Sequence, residues 1–200
     1  MRRALAAVVL AGGQGTRMGG RKALQPWGGA TLVARALAQA RSYAPIVAVA
    51  VRRTDQLEGA VRAELLIDDP AIPGPLAGLA SALAFAERAG AAAVLTLPCD
   101  TPLLPADLAE RLLGGLDARR PVAMAQSCGR WHPTCAIWRA ELGDRIGAYV
   151  ATGRSSLHGF AEFSGRRIVD WGACAPDPFA NANTLEDLAR LTLAERSHVD

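Results

Sequence analysis

Ala4-Leu5-Ala6-Ala7-Val8-Val9-Leu10 runs directly into Ala11-Gly12-Gly13-Gln14-Gly15-Thr16-Arg17-Met18-Gly19-Gly20-Arg21-Lys22. The unbroken apolar run, too short for a helix and stopped by glycine, reads as a strand covered on both faces. Glycine loses more backbone freedom on folding than any other residue. A loop with five glycines between positions 12 and 20 therefore makes sense where peptide N–H groups must come close to an anion. Arg17, Arg21 and Lys22 add the positive charge a triphosphate requires, Arg17 as a planar fork and Lys22 as a compact point charge. Lys22 is also the only lysine among 22 basic residues. Two familiar phosphate motifs fail here. The P-loop needs Gly-Lys-Ser/Thr, but Lys22 follows Arg21 and precedes Ala23; the dinucleotide fingerprint needs glycine where Met18 stands.

Outward from this loop, short apolar runs alternate with helical patterns. Ile46–Val51, Leu65–Ile67, Ala92–Leu97 and Pro121–Ala125 read as strands. Between them, Thr31 caps a helix to about Arg41, with Leu32, Val33, Ala36, Leu37 and Ala40 on one face. Leu76–Arg88 is a helix entered at Pro75 and stopped at Gly90, and Pro105 opens another to about Leu113. From Gln126 the pattern changes: Ser127-Cys128-Gly129-Arg130 is a polar turn between two extended runs and predicts a hairpin. Leu142–Val150 and Ser155–Phe163 read as helices and Arg167–Trp171 as a strand. Thr184 with Asp187 opens a last helix in capping-box style. The expected fold is a single three-layer α/β domain, Rossmann-like, with a mostly parallel sheet and an antiparallel excursion in its second half. Residues 1–103 form the expected nucleotide-binding half and residues 104–200 the acceptor-binding half.

Composition narrows the function. In 200 residues, half apolar and 20% charged, there is core enough without staples. The net charge of +3 is unevenly spread, +7 over Met1–Ile67 (ten basic, three acidic) and −4 over the remainder (twelve basic, sixteen acidic). Without aromatics interleaved in basic clusters, this favours a small anionic ligand over nucleic acid. Cys99, Cys128, Cys135 and Cys174 lack metal or redox spacing and read as free thiols of a reducing cytoplasm. Met1-Arg2-Arg3 before Ala4–Ala11 mimics a short signal peptide, but a glycine-rich basic loop follows in place of a cleavage pattern, and no stretch is apolar enough to predict a membrane span.

Leu95-Thr96-Leu97-Pro98-Cys99-Asp100-Thr101-Pro102 places an acid directly after a strand. Open α/β sheets bind ligands at the carboxyl ends of their strands, so Asp100 should share a crevice with the glycine loop. A hard carboxylate there suits Mg²⁺ on phosphate oxygens, although Asp before Thr-Pro also forms turns and caps. Asp68-Asp69 follow a short strand, and Gly74-Pro75-Leu76-Ala77-Gly78 starts a helix whose bare backbone could approach a base or ribose; both are equally turn formers. Asn181 and Asn183 offer amides to a ligand or to the last helix. His132 sits in the hairpin with no nucleophile triad around it, and G-x-S-x-G is absent. Chemistry by positioning and charge neutralisation, as in nucleotidyl transfer, is what remains.

Leu10-Ala11-Gly12-Gly13, Arg17-Met18-Gly19, Lys22, Gly74-Pro75-Leu76-Ala77-Gly78, Pro98-Cys99-Asp100-Thr101-Pro102, His132-Pro133 and Asn181 to Glu186 occur in one order over positions 8–191. In this they resemble the molybdenum cofactor guanylyltransferase family. The resemblance implies a Mg²⁺-dependent transfer of GMP from GTP to the terminal phosphate of Mo-molybdopterin, with release of pyrophosphate. It implies nucleotide contacts at Leu10, Ala11, Gly12, Gly13, Gly15, Asp69 and Gly78, with Lys22 and Arg17 on the phosphates. Asp100 would serve both the nucleotide and the metal, Asn181 and Asn183 the acceptor, and molybdoenzymes or cofactor-delivery proteins would be transient partners. Two departures stand out: Ala50-Val51-Arg52-Arg53 replaces the family's Asn-x-Asn-Arg, with Arg52 the candidate substitute, and the segment from Asp69 to Pro73 is short, which leaves Asp68 as the alternative to Asp69 at the nucleotide. A cytidylyltransferase on the same pterin or another phosphorylated acceptor, and a non-catalytic GTP-binding cofactor chaperone, are the alternatives.

Overall fold

The opening strand, β1 (Leu5–Leu10), lies inside the sheet, with Ala6, Ala7, Val8 and Val9 fully buried. A computed structural model describes residues 4–13, 21–57, 59–173 and 175–196. β1 pairs in parallel with β4 (Ile46–Val51) on one side and β6 (Ala93–Pro98) on the other. Beyond β4 lies β5 (Glu64–Ile67). Beyond β6 come β8 (Arg130–Arg139), β7 (Val122–Ser127) and β9 (Arg166–Asp170), giving the order β5-β4-β1-β6-β8-β7-β9. Only β8 is reversed, antiparallel to both β6 and β7, while β9 is again parallel to β7. The antiparallel excursion is thus a single strand in a sheet that otherwise runs one way.

Side chains alternate across the sheet. Ala7, Val9, Leu95 and Leu97 face α1 (Leu32–Tyr43) and α3 (Leu108–Gly114). Ala6, Val8 and Val94 face α2 (Leu76–Arg88), α4 (Ile146–Val150) and α5 (Leu157–Ser164). The three layers follow from strands apolar on both sides. The five predicted positions of α1 are its buried ones, and the Thr31 hydroxyl accepts from Ala34 N–H at 3.2 Å as its cap. The one polar group deep in β6, Thr96, accepts from Trp138 Nε1 at 3.0 Å and donates to the Ala136 carbonyl.

Two predicted helices are shorter than their patterns. Pro105–Asp107 makes a turn before α3, and Ala140–Arg145 is a 3₁₀ segment leading into α4. The β7–β8 hairpin closes through Cys128 and Gly129, at φ +46° and +71°. Positive φ at both central residues is the type I′ geometry that matches strand twist. Opposite this turn the register slips: Met124 faces Ala136, but Ala125 faces His132, so residues 133–135 bulge from the ladder. Pro133 has no N–H to give to a ladder.

A small hairpin, β2 (Pro26–Trp27) and β3 (Ala30–Thr31), lies outside the sheet. Trp27 is buried against Leu32, Ala182, Leu188 and Leu191 and donates its indole N–H to Thr192 Oγ1 at 2.8 Å. This anchors α6 (Leu185–Arg196) beside the segment after β1. The first turn of α6 is a reciprocal cap: Thr184 Oγ1 accepts from Asp187 N–H, and Asp187 Oδ2 accepts from the N–H groups of Asn183 and Thr184. No described helix is long and apolar enough to cross a membrane.

Candidate active site

β1, β4 and β6 end at the same edge, and their ends open a cleft of about 600 Å³. Leu10, Ala11, Gly12 and Gly13 line it from β1, Pro98, Cys99 and Asp100 from β6, and Gly78 from the first turn of α2. Lys22, Asn181 and Asn183 close it from the side of β2, β3 and α6. Residues separated by up to 173 positions, Leu10 to Asn183, are gathered at the carboxyl edge, where α/β sheets bind ligands. Gly15 and Arg17 lie outside the described residues, as does Cys174.

Lys22 is the hinge of this cleft. Its ammonium contacts Asp100 Oδ2 and donates to Asn183 Oδ1 at 2.7 Å. The two charged side chains are only 14% and 18% exposed, so the pair lies mostly out of water. The Ala182 N–H donates to the Asp100 carbonyl at 2.8 Å, and Thr101 Oγ1 donates to Asn181 Oδ1 at 2.7 Å. Both asparagines are therefore tied to the segment that carries Asp100.

Of the two acids after β5, Asp68 faces the cleft. Its N–H continues the parallel ladder to the Val51 carbonyl at 2.9 Å, so its side chain follows Leu66 onto the α2 face. Asp69, the carboxylate expected at the nucleotide, instead turns its Oδ1 back to Ala71 N–H at 2.8 Å and lines a smaller neighbouring hollow. Asp68 Oδ1 is buried and has no hydrogen-bond partner among the described residues. Burial pushes its pKa up to about 6, with Arg52 and Ser81 offsetting part of that rise.

Two glycines make room for this acid. A Cβ on Gly12 would sit 2.8 Å from Asp68 Oδ2, and one on Gly78 would sit 3.3 Å from Leu10 Cδ2 and 3.7 Å from Asp68 Oδ1. α2 begins without a side-chain cap, so the partial positive charge of its amino end is open to the cleft. The thiol of Cys99 is pushed up to about 12 by burial and is no nucleophile near neutral pH.

The profile of the MobA-like NTP transferase domain matches residues 7–168. The molybdenum cofactor guanylyltransferase of Rhodobacter capsulatus is 41% identical over 189 residues, 93% of this chain and 94% of that protein. That of Sinorhizobium fredii is 35% identical, over 91% and 88%. The chain belongs to the MobA-like NTP transferase family. The fold agrees: molybdopterin-guanine dinucleotide biosynthesis protein A from Archaeoglobus fulgidus superposes with a TM-score of 0.69 at 22% identity, covering 97% of this chain and 98% of that one.

For a MobA-like nucleotidyltransferase a divalent ion is the expected helper. Among the described residues no three His, Cys, Asp or Glu side chains cluster to hold one. A lone carboxylate such as Asp100 still fits Mg²⁺, which takes one or two carboxylates and completes its shell with phosphate oxygens and water. In this structure the cation beside Asp100 is the Lys22 ammonium.

Sequence reading did not single out Gln56 or Thr134. Gln56 accepts from Arg52 N–H at 3.0 Å and donates to the Ala11 carbonyl, clamping the end of β1 to the end of β4. Thr134 reaches the cleft from the bulge in β8. Neither carries a local motif; the proline beside Thr134 was the one available signal of a broken ladder.

Proposed function

We propose that this MobA-like NTP transferase transfers GMP from GTP to the terminal phosphate of Mo-molybdopterin, releasing pyrophosphate. The observation that carries the reading is the convergence of Gly12, Gly13, Lys22, Asp68, Asp100, Asn181 and Asn183 on one cleft, in a chain 41% identical to a molybdenum cofactor guanylyltransferase.

The N–H groups of the glycine loop and the ammonium of Lys22 bind the triphosphate, and Arg17 adds a further cation. Asp68, whose side chain faces the cleft, accepts from the N1–H and N2–H of guanine through its carboxylate. Arg52, at the mouth of the same cleft, presents donors to O6 and N7, the pairing arginine makes with guanine elsewhere. Cytosine offers acceptors where guanine offers these N–H groups and would leave Asp68 without a donor. Asn181 and Asn183 hold the acceptor opposite the α-phosphate. An acceptor phosphate oxygen forms the new bond to the α-phosphorus as the bond to the β-phosphate oxygen breaks. The nucleophile is already anionic, so no side chain has to remove a proton. Asp100 would hold Mg²⁺, which when bound supplies charge neutralisation for the triphosphate and leaving group. Passage of the product to a molybdoenzyme or delivery protein completes the proposal.

The test is transfer of labelled nucleotide to purified Mo-molybdopterin, with all four triphosphates in parallel and pyrophosphate measured. GTP should be used preferentially. Lys22→Ala and Asp100→Asn should each lower turnover at least ~100-fold, the magnitude typical of groups that stabilise developing charge. Faster use of CTP would mark a cytidylyltransferase, and GTP binding without pyrophosphate release would mark a chaperone; either overturns the reading.

A further inference from the structure

A part-buried polar chain of Ser127, His132 and Asp177 lies outside the residues that line the cleft. Ser127, at the end of β7, is fully buried. Its hydroxyl donates to Asp177 Oδ1 at 2.7 Å and lies 2.8 Å from His132 Nε2. A hydroxyl has one proton, and here it goes to the carboxylate. The imidazole must then carry hydrogen on Nε2 and donate it to Ser127. Burial, with the charge of Arg130, keeps His132 below the ordinary imidazole range despite the pull of Asp177.

The chain ends on the loop that bears the asparagines. Asp177 Oδ1 also accepts from Phe179 N–H at 2.9 Å. The ring of Phe179 is buried, with His132 stacked on it at 4.7 Å and the edge of Trp171 5.1 Å away. Asn181 follows two residues later, and Ala182 is tied to the Asp100 carbonyl. The run from Asp177 to Asn183 is therefore fixed at one end by Ser127 and His132 and at the other by Asp100 and the cap of α6.

We infer that His132, acting through Ser127 and Asp177 and by stacking on Phe179, is a positioning residue that sets Asn181 and Asn183 for the acceptor. This rests on the acceptor role proposed above for the two asparagines. His132 is not itself among the residues lining the cleft, so it acts through the loop.

Two variants separate the parts. His132→Phe keeps an aromatic stack and removes the donor; His132→Gln keeps a donor and removes the stack. Ser127→Ala breaks the chain at its middle and guards against a failure of either histidine variant to fold. Hydrogen–deuterium exchange should quicken at least ~5-fold in peptides covering residues 177–183 of His132→Phe and Ser127→Ala, with β1 and α1 unchanged. KM for the acceptor should rise about 10-fold, while GTP binding stays within twofold and His132→Gln restores part of the loss. Unchanged exchange in 177–183, or equal losses of GTP and acceptor binding, would overturn the inference. If wild type fails to transfer GMP to molybdopterin, the functional proposal fails instead, and the exchange data still decide whether His132 holds the loop.

Discussion

Asp68→Asn should make the free protein more stable at pH 8 and its grip on GTP weaker. The side chain keeps its size and loses its charge, which the cleft satisfies only in part: Oδ1 is buried without a partner among the described residues, and burial lifts the pKa to about 6, against an ordinary 3.8, despite Arg52 and Ser81. Between those values the folded state binds more protons than the unfolded one, so stability falls as pH rises through that window and levels off near pH 7. At 1.36 kcal/mol per pH unit the whole interval is worth at most about 3 kcal/mol. Asp68 is partly open to solvent, and screening reduces this to about 1–1.5 kcal/mol. For a chain of this length that is roughly 2–6 °C in melting temperature. Thermal unfolding of both proteins without nucleotide, from pH 4 to pH 8.5, should show curves that meet near pH 4 and separate to that gap above pH 7. GTP titration at pH 8 should show the opposite sign, since a lost hydrogen bond to a charged acceptor costs about 1.5–3 kcal/mol, or roughly 10- to 100-fold in Kd. A melting gap independent of pH, or a variant less stable at pH 8, would refute the picture of an unsatisfied carboxylate awaiting a donor.

Gly12→Ala places a methyl group 2.8 Å from Asp68 Oδ2 and 3.3 Å from Arg52 Cγ. It should raise the KM for GTP about 10-fold through displacement of that acid, and steady-state kinetics equal to wild type would remove the stated reason for glycine there. Trp138→Phe withdraws the donor that satisfies Thr96 and leaves a gap in a fully buried site. It should cost roughly 3 kcal/mol, about 6–12 °C in a melting experiment, with kcat at 20 °C unchanged because Trp138 does not line the cleft; an unchanged melting temperature would count against that bond.

What the sequence disclosed and what it hid divide along physical lines. β1, β4 and β6 were legible because strands buried on both faces are continuous apolar runs, and α1 because its buried stripe keeps helical period. The turn at Cys128-Gly129 was legible because the polar stretch Ser127-Cys128-Gly129-Arg130 interrupts two extended runs. By contrast β2 and β3 are two residues each, too short for any period, and Trp27 finds its partners some 160 positions later on α6. Asp68 could have been chosen over Asp69 from the sequence. Alternation along β5 puts it on the face of Leu66, toward α2 and Gly78, provided the strand is carried one residue past Ile67, as the bond from Asp68 N–H to Val51 does.

The same division separates the two sides of the cleft. The side proposed for the nucleotide is built from strand ends, where an apolar run stops and a glycine or an acid follows. Leu10 before Ala11-Gly12 and Leu97-Pro98 before Cys99-Asp100 carry that signal locally. The reversal of β8 means that its beginning, not its end, lies at the same edge, and what it delivers there is the bulge after His132. The rest of the side proposed for the acceptor returns from the far end of the chain as the loop to Asn183, fixed by the Asp100 carbonyl and by the ammonium of Lys22. No local pattern marks a strand start or a returning loop as a binding surface. Lys22 belongs to both sides at once, in contact with Asp100 and bonded to Asn183, and that joint position gives a chemical reason for a lysine in a chain whose other 21 basic residues are arginine. A compact ammonium serves two oxygens from different segments in one small space, whereas a planar guanidinium would demand a fixed fork of acceptors.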